Sequence, residues 1–182
     1  MNKNKTQQIQ PHIQQTNSVF VDNRGIFCAT AVNDKWCQTN VSINPSRYTF
    51  RGMHLQHGDT AQTKKVKVIS GAILDFVIDI RPDSTTFQEV STYLMVTGME
   101  LEVPAGYAHG FLTLHKNTVV QYLVDQPYNP STEDSLNWRS VNEIKKTIQE
   151  YIKTDALIIS DKDDTAQSYE HLIRKIVNNF PS

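Results

Sequence analysis

No stretch of this 182-residue chain is apolar for the roughly 18–20 residues that a membrane-spanning helix requires. The longest run, Ala72 to Ile80, is broken by Asp75 and Asp79, so no helical span is expected. An excess of one charge is also missing, with 18 Lys and Arg against 19 Asp and Glu. That balance gives no broad basic field for nucleic acid, and any anion site must be local. Cysteine is scarce. Cys28 and Cys37 form neither a Cys-x-x-Cys motif nor a disulfide framework. Residues Met1 to Gln8 lack the apolar segment of a secretory signal. These absences predict a cytoplasmic protein with reduced thiols and no membrane or nucleic-acid partner.

What is present is mainly β signal. Residues 1–16, dominated by Gln, Asn, Lys and Thr, have the composition of a flexible arm. Residues 17–182 suffice for one domain including its C-terminal helices, and are too few for two. Between Val19 and Val124, short runs rich in Val, Ile, Thr and aromatics are cut by turn residues. They predict strands at Gly25–Ala31, Lys65–Ile69, Ala72–Ile80, Phe87–Leu94, Leu101–Val103, Phe111–Leu114 and Thr118–Val124. Strands of this number and length predict a sandwich or jelly roll. After Trp138 the period becomes helical. Ser140 and Glu143 have capping-box spacing, and Val141, Ile144, Ile148, Tyr151 and Ile152 follow on one face. A second helix is predicted from about Asp164, with Ala166, Tyr169, Leu172, Ile173, Ile176, Val177 and Phe180 as its apolar stripe.

Two segments concentrate the chemistry: Arg51-Gly52-Met53-His54, and Pro104-Ala105-Gly106-Tyr107-Ala108-His109-Gly110-Phe111. Each delivers a histidine. Between them lie Lys64 and a β-run carrying Asp75 and Asp79 on one face. Imidazole, ammonium and carboxylate brought together fit an acid–base pocket. Gly98-x5-Pro104-x-Gly106-x2-His109 has the spacing of the second half of a cupin signature, whose tight turn aims His109 into a barrel. A metal-binding cupin would normally also offer His-x-His and a later Glu. Here two residues separate His54 from His57, and on a regular strand that spacing points them to opposite faces. A cupin-type jelly roll is predicted; a metal is not. Taken singly, each residue has a plainer reading. His54 could be a core histidine, Lys64 part of a solvated face with Lys65 and Lys67, Tyr122 a packing residue and Asp163 a helix N-terminal charge.

The order Val19-Phe20, Asp22-x-Arg24-Gly25-x-Phe27, Arg51-Gly52-Met53-His54-x-Gln56, Gln62-x-Lys64 and Asp75-x3-Asp79-x-Arg81-x2-Ser84-x2-Phe87 resembles the dTDP-4-dehydrorhamnose 3,5-epimerase family. So do Val103 to Phe111, Tyr122-x5-Tyr128-x-Pro130 and Ser160-Asp161-Lys162-Asp163. The resemblance implies a homodimeric jelly-roll cupin without metal or cofactor. It implies epimerisation of a nucleotide-linked 4-keto-6-deoxy sugar at C3 and C5, with dTDP-4-dehydro-6-deoxy-D-glucose favoured as substrate and dTDP-4-dehydro-L-rhamnose as product. His54 would be the base, oriented by Asp163, with Lys64 stabilising the C4 oxyanion and Tyr122 as the acid on the opposite side. His109 and Asp75 would line the same pocket. Arg24 and Arg51 would hold the diphosphate. Phe20 and Phe27 would pack around the nucleobase from the partner subunit, which puts the nucleotide site at the subunit interface. Gln38, Asn40 and Ser42 would touch sugar and phosphate, and Tyr128 completes the substrate-binding set.

The chemistry asks for these residue types. A proton beside a ketone is acidic only if the enolate is stabilised, and inversion needs a base on one face and an acid on the other. Departures from the family bear on specificity. Ala29 stands where a glutamate that reads thymine is common, Val41 where a histidine is common, and Pro127-Tyr128 where two tyrosines are usual. A helix at 141–152 replaces the usual loop after Trp138. The nucleobase, and whether C3, C5 or both react, therefore stay open. So do three other functions: a C3-only or C5-only epimerase, a metal-dependent cupin built on His54, His57 and His109, and a non-catalytic sugar-binding cupin.

Overall fold

In the computed structural model, which describes residues 18–31, 35–152 and 157–179, the β-rich part of the chain forms two antiparallel sheets. The expected arm at 1–16 and Phe180 lie outside the described residues. One sheet contains, in spatial order, β1 (Ser18–Asp22), β2 (Gly25–Ala31), β3 (Gln38–Asn44), β10 (Thr118–Val124), β5 (Lys64–Ser70) and β8 (Glu100–Val103). The other contains β11 (Glu133–Ser135), β4 (Phe50–Gln56), β9 (Tyr107–Thr113), β6 (Ala72–Asp79) and β7 (Val90–Val96). This is the cupin-type jelly roll expected from the spacing of strand and turn signals.

Two apolar layers hold it. Val66, Val68 and Val120 of the six-stranded sheet pack against Ile73, Val77, Met95 and Phe111 of the five-stranded one. The other face of the five-stranded sheet presents Phe50, Leu74, Phe76, Ile78 and Leu112 to helices α1 (Asn142–Tyr151) and α3 (Tyr169–Asn179). Strand β6 is therefore buried on both faces, along its whole length, which is why its sequence is nearly continuous in apolar residues. Ile144, Ile148 and Leu172 are almost fully buried against that sheet. Truncating one of them to alanine would cost about 2–5 kcal/mol. Among the described residues no helix is long and apolar enough to cross a membrane. Cys37 is a free thiol whose Sγ lies 3.5 Å from the Val124 carbonyl.

Several expectations need correction. Strands β1, β3, β4 and β11 were not foreseen, β7 starts at Val90 rather than Phe87, and β9 starts at Tyr107, which places His109 on a strand. Phe87 belongs to a turn, its N–H donating to Ser84 O at 3.2 Å. The N-cap of α1 is Val141, with no side-chain cap. Ser140 Oγ instead donates to Asn137 O at 2.6 Å and accepts from Tyr169 N at 2.8 Å. The second helix, α3, starts at Tyr169 rather than near Asp164, and a short helix that was not foreseen, α2 (Asp161–Asp164), precedes it. The chain between them is diverted where Gln167 bridges Leu136 and its carbonyl accepts from Asn137 N at 2.8 Å.

Candidate active site

Arg51 and His54 sit on β4 at a spacing that would face them in opposite directions on a regular strand. The register with β9 resolves this: Arg51 pairs with Phe111 and His54 with His109, so three steps on β4 match two on β9. The extra residue is a β-bulge, and it turns both side chains into one cavity. Gly52 permits it. Its φ is +130°, and a Cβ there would stand 2.5 Å from Gly110 Cα. The bulge also leaves Gly52 N–H free to donate to Asp163 Oδ2 at 3.2 Å.

Asp163 is delivered from the other end of the chain by α2. Ser160 caps that helix, accepting from Asp163 N at 3.3 Å. The Asp163 carboxyl is buried, and its Oδ1 lies 2.8 Å from His54 Nε2. Burial pushes this carboxyl up, but the His54 ring, the Arg24 guanidinium and Gly52 N–H outweigh it and hold it below its ordinary value. With Asp163 ionised, the contact requires the proton on His54 Nε2 and leaves Nδ1 as the basic nitrogen.

The cavity, about 550 Å³, lies between the sheets at this end of the roll and takes in His54, Lys64, His109 and Tyr122. Lys64 Nζ donates to His54 O at 3.1 Å. Burial pulls its pKa down to about 8, so it remains mostly ammonium at neutrality. Burial pushes the Tyr122 phenol up to about 12, which keeps it protonated and able to donate. His109 Nε2 lies 2.9 Å from Asp75 Oδ2.

The binding residues divide. Arg51 Nε donates to Asn44 Oδ1 at 2.8 Å, while its buried Nη2 has no partner among the described residues. Arg24 reaches the cavity wall, with Nη1 donating to Asp163 Oδ2 at 2.9 Å. Gln38 Nε2 donates to Asn40 Oδ1 at 2.6 Å, and both line the cavity. Phe20, Phe27 and Tyr122 form an aromatic run, with successive ring centroids 6.0 and 6.2 Å apart. The two phenylalanines, expected from a partner subunit, thus already flank a cavity of their own chain. Tyr128 stands half-exposed at the mouth.

Two expected lining residues are elsewhere. Asp75 is fully buried behind His109, and Ser42 is fully buried within the sheet, its Oγ 3.5 Å from Val120 O. His57 turns away and bonds Asp134 Oδ2 at 3.0 Å, beneath the Lys175 of α3. Among the described residues no cluster of three or more His, Cys, Asp or Glu side chains is arranged to hold a metal. Ala29 pairs with Asn40 across β2 and β3; its side chain lies outside what is described.

Two residues were missed. Glu133 and Lys162 both line the cavity. Glu133 Oε2 accepts from Tyr128 OH at 2.8 Å and from Lys162 Nζ at 2.6 Å. Burial pushes Glu133 up, but Lys162, Tyr128 and His54 together hold it below its ordinary value. The only hint in the sequence was that Lys162 neighbours Asp163; Glu133 lies on a three-residue strand with no readable period.

A cupin-type roll whose cavity carries a histidine–carboxylate base, a protonated phenol and a buried ammonium has the makings of an acid–base isomerase. Comparison with known proteins agrees. The family model described as dTDP-4-dehydrorhamnose 3,5-epimerase matches residues 6–171, and the chain belongs to this family of isomerases. It is 31% identical over 168 residues to the dTDP-4-dehydrorhamnose 3,5-epimerase of Escherichia coli K12, covering 86% of this chain and 88% of that one. The crystal structure of the Bacillus anthracis dTDP-4-dehydrorhamnose 3,5-epimerase with TDP and PPi bound superposes with a TM-score of 0.64 at 34% identity, covering 83% and 90% of the two chains. A 3'-monoepimerase from Streptomyces bikiniensis in complex with dTDP-quinovose shares the fold, with a TM-score of 0.62 at 23% identity and 89% of each chain covered.

Proposed function

We propose that this chain epimerises a nucleotide-linked 4-keto-6-deoxy sugar, with dTDP-4-dehydro-6-deoxy-D-glucose as substrate and dTDP-4-dehydro-L-rhamnose as product. The observation that carries this reading is the His54–Asp163 pair set in one cavity with Lys64 and Tyr122. His54 Nδ1 takes the proton from a carbon beside the ketone. The electron pair moves onto the C4 oxygen, where the Lys64 ammonium offsets the developing charge. Asp163 stabilises the imidazolium. Tyr122 returns a proton from the opposite face, which inverts the centre; the phenolate then recovers a proton from solvent and the His54 imidazolium gives one up to it, restoring the enzyme. No redox change occurs, and the scheme draws on no cofactor.

The unpartnered Nη2 of Arg51 suits a diphosphate oxygen, to which a guanidinium can donate in a fork. The Phe20 and Phe27 rings suit a stacked nucleobase. Glu133, which accepts from both Tyr128 and Lys162 at the mouth, and Lys162 itself are placed to meet the sugar or the phosphate. The functional unit in this reading is a cytoplasmic homodimer. Val21, Ile26 and Ile43 stand in cross-strand register, exposed, on the helix-free face of the six-stranded sheet, and they offer a surface for a second copy.

Epimerisation at a single carbon is the second reading, since 3,5-epimerases and a 3'-monoepimerase share this fold and the fold alone does not choose between them. NMR of the nucleotide sugar in deuterated water separates the readings. Deuterium at both C3 and C5 is expected; label at one carbon would select the single epimerase, and nucleotide-sugar binding without uptake would select a binding protein.

A further inference from the structure

Strand β11 is three residues long and lies at the edge of its sheet, hydrogen-bonded to β4. So short an edge strand has few ladder bonds to hold it, and its side-chain ties decide where it sits. Successive residues on it face opposite ways. Glu133 faces the cavity, where it accepts from Tyr128 OH and Lys162 Nζ. Asp134 faces away from it and is almost buried. Its Oδ1 accepts from Lys175 Nζ at 2.8 Å and from Gln167 Nε2 at 3.1 Å. Its Oδ2 accepts from Lys175 Nζ at 2.8 Å and lies 3.0 Å from His57 Nε2.

These partners come from three segments: His57 from the turn after β4, Gln167 from the chain between α2 and α3, and Lys175 from α3. Neither Asp134 nor any of the three lines the cavity, so the cluster does not meet substrate. One half-exposed lysine paired with a carboxylate adds little to stability. Convergence of three side chains on one carboxylate of a three-residue strand instead fixes that strand in place. The C-terminal segment therefore grips β11 on both faces, with Lys162 on the inner side and Gln167 and Lys175 on the outer. We propose that Asp134, held by Lys175, Gln167 and His57, is a positioning residue for Glu133, setting where the Glu133 carboxylate stands relative to Tyr128 and the bound substrate. The proposal rests on the epimerase reading above, in which Glu133 meets the substrate.

A loosened β11 would carry Glu133 away from Tyr128. Burial and the bond to Glu133 push the Tyr128 phenol up to about 12. Glu133 of β11 is the titratable group bonded to that phenol, and Lys162 of α2 shares its carboxylate. Ionisation of Tyr128 thus reports on Glu133 from a position that Lys175 does not touch. A brace that served only to hold α3 against the sheet would leave that ionisation where it is.

The test compares Lys175→Met, Lys175→Arg and Glu133→Gln in the full chain. Its readouts are the titration of Tyr128, followed by 13C NMR of the tyrosine rings and assigned with Tyr128→Phe, and turnover of dTDP-4-dehydro-6-deoxy-D-glucose. In Lys175→Met, Tyr128 should ionise at lower pH than in the wild type, towards its position in Glu133→Gln. KM should rise by about tenfold while kcat changes by less than about threefold, as loss of a contact made equally in ground and transition states requires. Lys175→Arg, whose fork suits a carboxylate, should restore both readouts. A folded Lys175→Met with Tyr128 titration and KM unchanged, even with a lowered thermal midpoint, would overturn the proposal. If Lys175→Met fails to fold, His57→Ala decides on the same readouts: an earlier Tyr128 ionisation supports the proposal, and wild-type titration and KM refute it. Wild-type protein that neither turns over the sugar nor exchanges its protons would overturn the epimerase reading instead. The Tyr128 titration needs no substrate and still tests the cluster.

Discussion

The cavity is built around two histidine–aspartate pairs on neighbouring strands, and they are equipped very differently. His54 and His109 are cross-strand partners, with nitrogen–oxygen distances of 2.8 and 2.9 Å to Asp163 and Asp75. Asp163 also receives a backbone N–H and a guanidinium. Asp75 is fully buried, and its Oδ1 has no partner among the described residues. The His54 side chain is 29% exposed and that of His109 only 7%. A carboxylate surrounded by donors can remain charged while its histidine gains and loses a proton. A carboxylate with a bare oxygen in the core is a poor place to develop charge. The same pair of residue types therefore suits two jobs in the proposed reaction: His54 would cycle its proton, and His109 would shape and hydrogen-bond the wall.

The largest expected effects fall on the first pair. His54→Ala should slow isotope uptake by about two to four orders of magnitude, whereas His109→Gln should cost no more than about tenfold. Asp163→Asn would turn its NH2 either on the His54 N–H or on the Arg24 and Gly52 donors, and should cost about 10²–10⁴ in kcat, as loss of the orienting carboxylate does in comparable pairs. Equal losses from Asp75→Asn would erase the distinction between the pairs.

Lys64→Met should reduce kcat by about 10²–10³ through loss of oxyanion stabilisation. Because burial lowers the Lys64 pKa to about 8, the wild-type rate should fall on the alkaline side as pH rises through that value. A pH–rate profile flat to pH 10 would remove Lys64 from this role.

The smallest effect is on stability. Asp163 titrates below its ordinary 3.8 when folded. Its stabilising contribution is complete above that value and is lost as pH falls through the lowered one. The thermal midpoint of the wild type should therefore drop with acidification below 3.8 more steeply than that of Asp163→Asn. Parallel pH profiles would mean that Asp163 is not the carboxylate responsible.

Much of this was legible in the sequence because a nearly continuous apolar run marks β6, a run rich in β-branched and aromatic residues marks β10, and a helical period returns after Trp138. Strand β3 was hidden because its inward face is polar, with Asn40, Ser42 and Asn44 buried; a search for alternating apolar residues finds the pattern inverted. Strand β4 was hidden by its bulge, since Arg51-Gly52-Met53-His54 has no regular period. That same bulge brings Arg51 and His54 into one cavity. Asp163 could be nominated only through the family motif, as the contact with His54 spans 109 residues of chain. Asp75 was placed one layer too close to the substrate: strand alternation gives the face of a residue but not what stands in front of it. Glu133 escaped because a three-residue strand carries too little pattern to show which way it points.

Whether proton transfer runs through His54 and Asp163 without a metal is decided by deuterium uptake into dTDP-4-dehydro-6-deoxy-D-glucose in deuterated water, for exhaustively chelated wild type beside His54→Ala. Uptake by the chelated wild type should be undiminished, and the variant should lose at least about a hundredfold. Uptake abolished by chelation and restored by zinc, iron or manganese would point to a metal, and a variant exchanging at the wild-type rate would remove His54 from the proton's path.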